Sequence, residues 1–193
     1  TGMMPCPYLG GRVEQNLFTE LTETHSQRLH DQLAQAGFRR SHQIMYRPAC
    51  PGCNGCVPVR IPVAEFNMSR SQRRVWGKNR DLSISVGKTR ATDEHYDLFS
   101  RYQNSRHQGG EMATMSFSDF RAMIEDSLVQ TELISIQNSD GQVIGACLVD
   151  YLTRGYSAVY SYFSPDEKER SLGTFCVLWL LDRARNQELD HLY

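Results

Sequence analysis

At 193 residues, with 40% hydrophobic and 22% charged side chains, the chain can bury a core as one domain or two small lobes, which excludes intrinsic disorder. Its longest apolar run, Phe175 to Leu181, is far too short to cross a bilayer, and it has neither a repeat period nor a low-complexity tract. The 21 basic and 22 acidic residues nearly cancel, so affinity for a polyanion must come from a local cluster rather than from net charge.

In chain order, Thr24 can cap a helix whose Leu29, Leu33 and Ala36 form an apolar stripe closed by Gly37. Gln43 to Arg47 and Val57 to Val63 read as strands flanking the loop Cys50-Pro51-Gly52-Cys53-Asn54-Gly55-Cys56. Ser69 caps a helix from Arg70 to Arg80. Leu82, Ile84 and Val86 then alternate with Ser83 and Ser85 as a strand, Thr92 caps a helix carrying Tyr96, Phe99 and Tyr102, and a shorter helix follows at Phe117 to Glu125. Leu133 to Ile136, the turn Asn138-Ser139-Asp140-Gly141, Val143 to Leu152, a turn at Arg154-Gly155 and Tyr156 to Phe163 predict three antiparallel strands. Pro165 breaks the sheet, Leu172 to Arg185 is a mostly apolar helix, and Leu189 to Tyr193 opens another strand as the chain stops, which predicts that the natural protein continues. The expected fold class is α+β: a small N-terminal cysteine-containing lobe over 1–68 packed on a domain over 69–193 with a mainly antiparallel central sheet, truncated at its C-terminal end.

Two local features point to chemistry. Cys50, Cys53 and Cys56 recur every third residue in a Pro- and Gly-punctuated loop, and with Cys6 they form a candidate zinc or iron–sulfur ligand set. Buried free thiols and disulfides are the competing readings. Disulfides are disfavoured because Cys147 and Cys176 lie in apolar segments and there is no secretory h-region, and a reducing, cytoplasmic compartment is expected. The second feature is the run Arg70, Arg73, Arg74, Lys78, Arg80, Lys88 and Arg90, broken by the single acid Asp81. On a helix, Arg70, Arg73, Arg74 and Lys78 share one face, which suits a phosphate backbone better than a merely solvated surface because like charges repel.

Strand, hairpin, strand, helix, strand is similar to the core order of the GNAT acyltransferases. In that fold a Q/R-x-x-G-x-G/A turn at a helix N-terminus grips the pyrophosphate of acyl-CoA. The matching stretch, Arg170-Ser171-Leu172-Gly173-Thr174-Phe175, ends in Phe175 rather than a small residue, which points to an acyl donor other than CoA, and aminoacyl-tRNA would also explain the basic helix.

Cys6-Pro7-Tyr8-Leu9, Gly37-Phe38-Arg39-Arg40-Ser41, Tyr46-Arg47-Pro48-Ala49-Cys50, Val57-Pro58-Val59-Arg60, Arg106-His107, Asp150, Tyr160-Ser161-Tyr162-Phe163 and Ser171-Leu172-Gly173-Thr174 together resemble the arginyl-tRNA-protein transferase family, and within it the bacterial branch that transfers leucine. The resemblance spans essentially the whole chain. It implies a GNAT-like aminoacyltransferase domain and transfer of leucine from leucyl-tRNA to proteins with an N-terminal Asp or Glu, marking them for degradation by the N-degron route. Eukaryotic relatives carry a Cys-x-x-Cys near the N-terminus and an adjacent Cys pair later. Here Leu9 stands at the second position, and Cys53 and Cys56 are not adjacent.

Ester aminolysis runs downhill, and an α-amino group with a pKa of about 8 is partly neutral at cellular pH, so no cofactor is required and positioning should dominate. Arg12, Arg39 and Arg47 are candidates for gripping the acceptor carboxylate in bidentate fashion. His107, Tyr160 and Tyr162 are candidates for proton relay, with Tyr160 and Tyr162 expected on a strand facing the cleft. Arginyl transfer by the same mechanism, a CoA-dependent N-acetyltransferase, and a noncatalytic nucleic-acid or metal-binding module stand as alternatives.

Overall fold

The computed structural model describes residues 4–193, apart from the side chain of Glu111. Three sheets are present among them. Two short strands, β1 (Met4–Pro5) and β2 (Val13–Glu14), pair antiparallel. Next come β3 (Asn16–Glu20), α1 (Ser26–Gln35), β4 (Arg39–Ser41) and β5 (Ile44–Pro48), and the three strands form an antiparallel sheet in the order β3-β5-β4. Leu29 and Leu33 of α1 pack on Leu21, Met45 and Val129, as the stripe predicted. The helix starts later than expected, with His25 in the left-handed region as its N-cap, and Ala36 is already the C-cap.

Residues 57–63 differ from the expected strand. Only β6 (Ile61–Pro62) pairs, and Val57 and Val59 stay 71% and 76% exposed. Pro58 cannot donate to a ladder, so the alternation there reflects an extended strap rather than a strand. β6 lies at one edge of the central sheet, so the chain has joined the larger unit before residue 69.

Next follow α2 (Arg70–Lys78), β7 (Ser83–Lys88), α3 (Asp93–Arg106) and α4 (Phe117–Glu125), each helix capped by the Ser or Thr that precedes it. Ser69 with Gln72, and Ser116 with Asp119, make reciprocal capping pairs. β8 (Thr131–Gln137), β9 (Val143–Leu152) and β10 (Gly155–Phe163) form the antiparallel meander. The turn between β8 and β9 closes because the Asn138 side-chain oxygen accepts from the backbone N–H groups of Asp140 and Gln142, and Gly141 takes φ 79°. α5 (Leu172–Asn186) returns the chain so that β11 (His191–Leu192) pairs parallel with β10, giving the sheet order β6-β11-β10-β9-β8-β7.

Both faces of this sheet are covered, which explains the near-continuous apolar runs in β8 and β9. Ile134, Ile136, Ile144, Cys147 and Val149 pack under α5, whereas Leu133, Ala146 and Leu148 pack under α3 and α4. The small N-terminal sheet is tied on by polar bonds, some of them buried, as well as by the apolar contact of Leu21 and Met45 with Val129. Arg40 of β4 makes a bidentate pair with Asp150 of β9 at 2.6 and 2.7 Å, and His30 of α1 approaches the same carboxylate at 3.3 Å. Gln27 bridges Tyr151 and Gln130, and Asp31 accepts from Thr153.

A single irregularity in β10 decides where its tyrosines point. The β9–β10 register shifts between Ala158 and Tyr160, a bulge at Val159. An extra residue reverses side-chain parity beyond it, so Tyr156 faces α5 while Tyr160 and Tyr162 face α3 and α4.

Candidate active site

A cleft of about 1360 Å³ lies between the N-terminal sheet and the bulged half of β10. On its outer side β10 pairs with β11, and the Ala158 N–H donates to the Tyr193 carbonyl. The two walls differ in chemistry. On the N-terminal side stand Arg12, Arg39, Arg40 and Arg60 with the four cysteines and the exposed Tyr8, Val57 and Val59. On the sheet side stand Met112, Met115, Met123, Leu148, Val159 and Tyr160. No Asp or Glu lines the cleft among the described residues.

The arginines are not equivalent. Arg40 is buried and its charge is spent on Asp150. Burial pushes the Asp150 carboxyl up, but the hydrogen bonds from His30 and Arg40 outweigh it and hold the group below its ordinary value. Arg39 is exposed and stacks over Tyr46 at 5.1 Å, leaving its donors turned to solvent. Arg12 is exposed beside Cys53, whose thiol is lowered first by the Gly55 backbone N–H and then by the Arg12 guanidinium. Arg47, the third acceptor candidate, does not line the cleft. It donates to the Ala36 carbonyl at 2.9 Å and lies over Phe38, bracing the C-terminal end of α1.

Of the three relay candidates, the structure brings only Tyr160 to the cleft. Its hydroxyl accepts from Nε2 of Gln103, a buried residue of α3, at 2.5 Å. Burial, with a smaller push from Tyr102, raises its pKa to about 12, so it is a fixed proton donor rather than a base. Tyr162 is fully buried among Phe99, Phe120 and Leu148, its hydroxyl has no hydrogen-bond partner, and burial drives its pKa far up. It belongs to the core, because the bulge turned it there. His107 is the exposed C-cap of α3, its ring against Tyr102, outside the cleft.

All four candidate metal ligands, Cys6, Cys50, Cys53 and Cys56, line the cleft as free thiols, yet among the described residues no three His, Cys, Asp or Glu groups converge on a point that could hold an ion. Cys50 instead exchanges weak hydrogen bonds with the Gln15 backbone, and Cys56 is exposed. The arrangement does not fit a zinc or iron–sulfur site.

The other two motifs lie away from the cleft. α2 packs on α5 through Val75 and Trp76, whose ring lies 5.8 Å from Phe175, and turns Arg70, Arg73, Arg74 and Lys78 outward. Lys78 pairs loosely with Glu169, and Arg73 also donates to the Met68 carbonyl. At the α5 N-terminus, Arg170 is held bidentately by Asp81 at 2.9 Å and again by Glu167. The Phe163 ring sits so close to Gly173 that an added Cβ would meet it at 3.0 Å. A pyrophosphate would find neither a free cation at Arg170 nor an open approach at Gly173, which weighs against CoA.

Sequence reasoning missed Gln103, the Arg40–Asp150–His30 node and the methionine wall. Arg40 and Asp150 are 110 residues apart and no periodicity links them. Met112 and Met115, three residues apart, carried the one local signal of a shared apolar side.

A two-sided sheet with an antiparallel meander, a strand opened by a bulge and a helix returning to a parallel strand defines a GNAT-like acyltransferase fold. Solved structures agree on that fold. FemX superimposes with a TM-score of 0.53 at 9% identity over 92% of this chain and 62% of that one. L-PGS from Bacillus licheniformis superimposes with a TM-score of 0.52 at 9% identity over 69% and 44%. At the sequence level, residues 4–74 match the N-terminal part and residues 94–193 the C-terminal part of the arginine-tRNA-protein transferases. An aspartate/glutamate leucyltransferase of Paramagnetospirillum magneticum is 49% identical over all of this chain and 79% of its own length. Those of Granulibacter bethesdensis and Rhodospirillum rubrum are each 45% identical over all of this chain and 72% and 79% of theirs. The chain belongs to the arginine-tRNA-protein transferase family.

Proposed function

We propose that this chain transfers leucine from leucyl-tRNA to the α-amino group of proteins that begin with Asp or Glu, in the cytoplasm, as a mark for their degradation. The observation that carries this reading is the cleft's composition: guanidinium groups on one wall, apolar side chains on the other, and no carboxylate lining it among the described residues. Such a cleft attracts an acidic acceptor and disfavours an arginyl donor, whose charge would enter a space that already holds Arg12 and Arg39 and, among the described residues, no carboxylate. The names of the relatives and the family membership support the same assignment.

In this reading Arg12 and Arg39 hold the side-chain carboxylate of the acceptor. The acceptor nitrogen attacks the ester carbonyl, a C–N bond forms, the C–O bond to the ribose breaks, and the proton lost by the amine ends on the ribose oxygen. The Tyr160 hydroxyl, oriented by Gln103, donates a hydrogen bond to the oxyanion as it develops. The outward face of α2 tracks tRNA phosphates, giving affinity that falls steeply with salt. Six free thiols fit a reducing compartment.

The test is single-turnover transfer from leucyl-tRNA and from arginyl-tRNA to an Asp-initiated peptide, read by mass. Leucine is expected on the peptide N-terminus and arginine not. Arginine transferred as fast as leucine would overturn the assignment.

A further inference from the structure

We infer that Met112, Met115, Met123, Leu148 and Val159 form the pocket that receives the side chain of the donated aminoacyl group and sets its permitted size. This rests on the transfer reading above and assigns the residues that would choose the donor. The five side chains come from four separate places: the 3-10 turn Glu111–Thr114 and the residue after it, α4, β9 and the β10 bulge. All line the one cleft, and none is charged or hydrogen-bonding. Leu148 and Met123, 1% and 8% exposed, form a floor continuous with the core, while Met112, Met115 and Val159 are half-buried and face the opening.

Position supports the same role. Val159 adjoins Tyr160, so an aminoacyl carbonyl resting on the Tyr160 hydroxyl has this wall within reach of its side chain, while the arginines occupy the opposite wall. Among the described residues a basic side chain placed there would lose water without gaining a carboxylate partner, which disfavours basic donors a second time. The wall is also braced. The Tyr96 hydroxyl donates to the Met115 carbonyl at 2.8 Å, and the Tyr96 ring packs against Phe117 and Phe120 at 5.5 and 5.6 Å. Methionine side chains adapt to the shape presented to them, so the pocket is selective for aliphatic size within a limit rather than for one shape alone.

The test measures single-turnover transfer from leucyl-, valyl- and phenylalanyl-tRNA to an Asp-initiated peptide, with Met112→Ala and Met115→Ala beside the wild type. One methylene more or less in an apolar pocket is worth about 10–200-fold in substrate discrimination. The phenylalanyl-to-leucyl ratio should therefore rise at least about tenfold in one or both variants, while the preference for Asp- over Lys-initiated peptides stays as in the wild type. Should either alanine variant fail to fold by circular dichroism, Met115→Phe narrows the pocket instead and should raise the valyl-to-leucyl ratio. Wild-type donor ratios in folded variants that still transfer leucine would overturn the pocket alone. A wild-type protein that transfers no leucine from leucyl-tRNA to any peptide would overturn the transfer reading as well.

Discussion

Replacing Arg40 with Met leaves the Asp150 carboxylate fully buried with only His30 and the Thr131 hydroxyl as partners. Removing one member of a buried ion pair costs about 3–5 kcal/mol, because the surviving charge keeps its desolvation penalty. In a domain of this size about 1 kcal/mol moves the midpoint by roughly 2–4 °C, so Tm should fall by about 6–20 °C. The double variant Arg40→Met with Asp150→Leu removes both charges and should recover much of the loss. Asp150 also sets an acid limit. Its pKa is held below the ordinary carboxylate value in the folded protein, so this part of the stability is present above about pH 4 and disappears as pH falls through the folded value. Urea unfolding at pH 7 and pH 3 on wild type, both single variants and the double variant would measure this. A loss under about 1 kcal/mol in Arg40→Met, or a double variant less stable than either single, would refute the reasoning. Transfer activity should drop with the folded fraction and, because β4 carries Arg39 on the cleft wall, also among the molecules that remain folded.

Three further outcomes are expected. Tyr160→Phe should slow single-turnover transfer by about 10²–10³-fold with leucyl-tRNA affinity unchanged; with its pKa near 12, Tyr160 should add no ionisation to a rate profile between pH 6 and about 10. His95 hydrogen-bonds Thr92 and Ser135, and burial lowers its pKa. The stability it contributes is complete above about pH 6.5 and lost as pH falls below that, so the urea midpoint should drop between pH 7.5 and 5, and less so in His95→Gln. Changing Arg70, Arg73 and Arg74 together to Ser should weaken leucyl-tRNA binding and flatten its log–log salt dependence by up to about 3 units, while Tm stays within a few degrees, as measured by filter binding and thermal melts.

The second half of the chain was legible because each signal there is local and consistent. Asn138 to Gly141 specify their own turn, Ser69 and Thr92 cap their own helices, and buried β8 and β9 are mostly apolar, broken by Glu132, Ser135 and Asp150. The N-terminal sheet was less so. β5 was read from Gln43 to Arg47, but Leu17 and Phe18 are 53% and 47% exposed, so β3 lacks the one-sided burial that marks a strand in sequence, and β4 is only three residues long. The strap at 57–60 shows the opposite failure, alternation without a partner. Arg12, Arg39 and Tyr160, which line the cleft, were singled out by residue type, but Tyr162 was not separable from Tyr160. The bulge at Val159 turns both toward α3 and α4, and their different depth along β10 decides that Tyr160 reaches the cleft while Tyr162 lies under Phe99 and Phe120, a depth that residue spacing does not announce. The cysteines were conspicuous by spacing, yet a common loop does not bring sulfur atoms to a common point.

The most direct test of the central claim is a competition. The protein is given leucyl-tRNA with an equimolar mixture of peptides differing only in their first residue, Asp, Glu, Ala or Lys, and the products are weighed. A cleft that pairs a guanidinium wall with an apolar one predicts leucine on the Asp and Glu peptides and little on Ala or Lys. Leucine distributed without regard to the first residue, or favouring Lys, would contradict it.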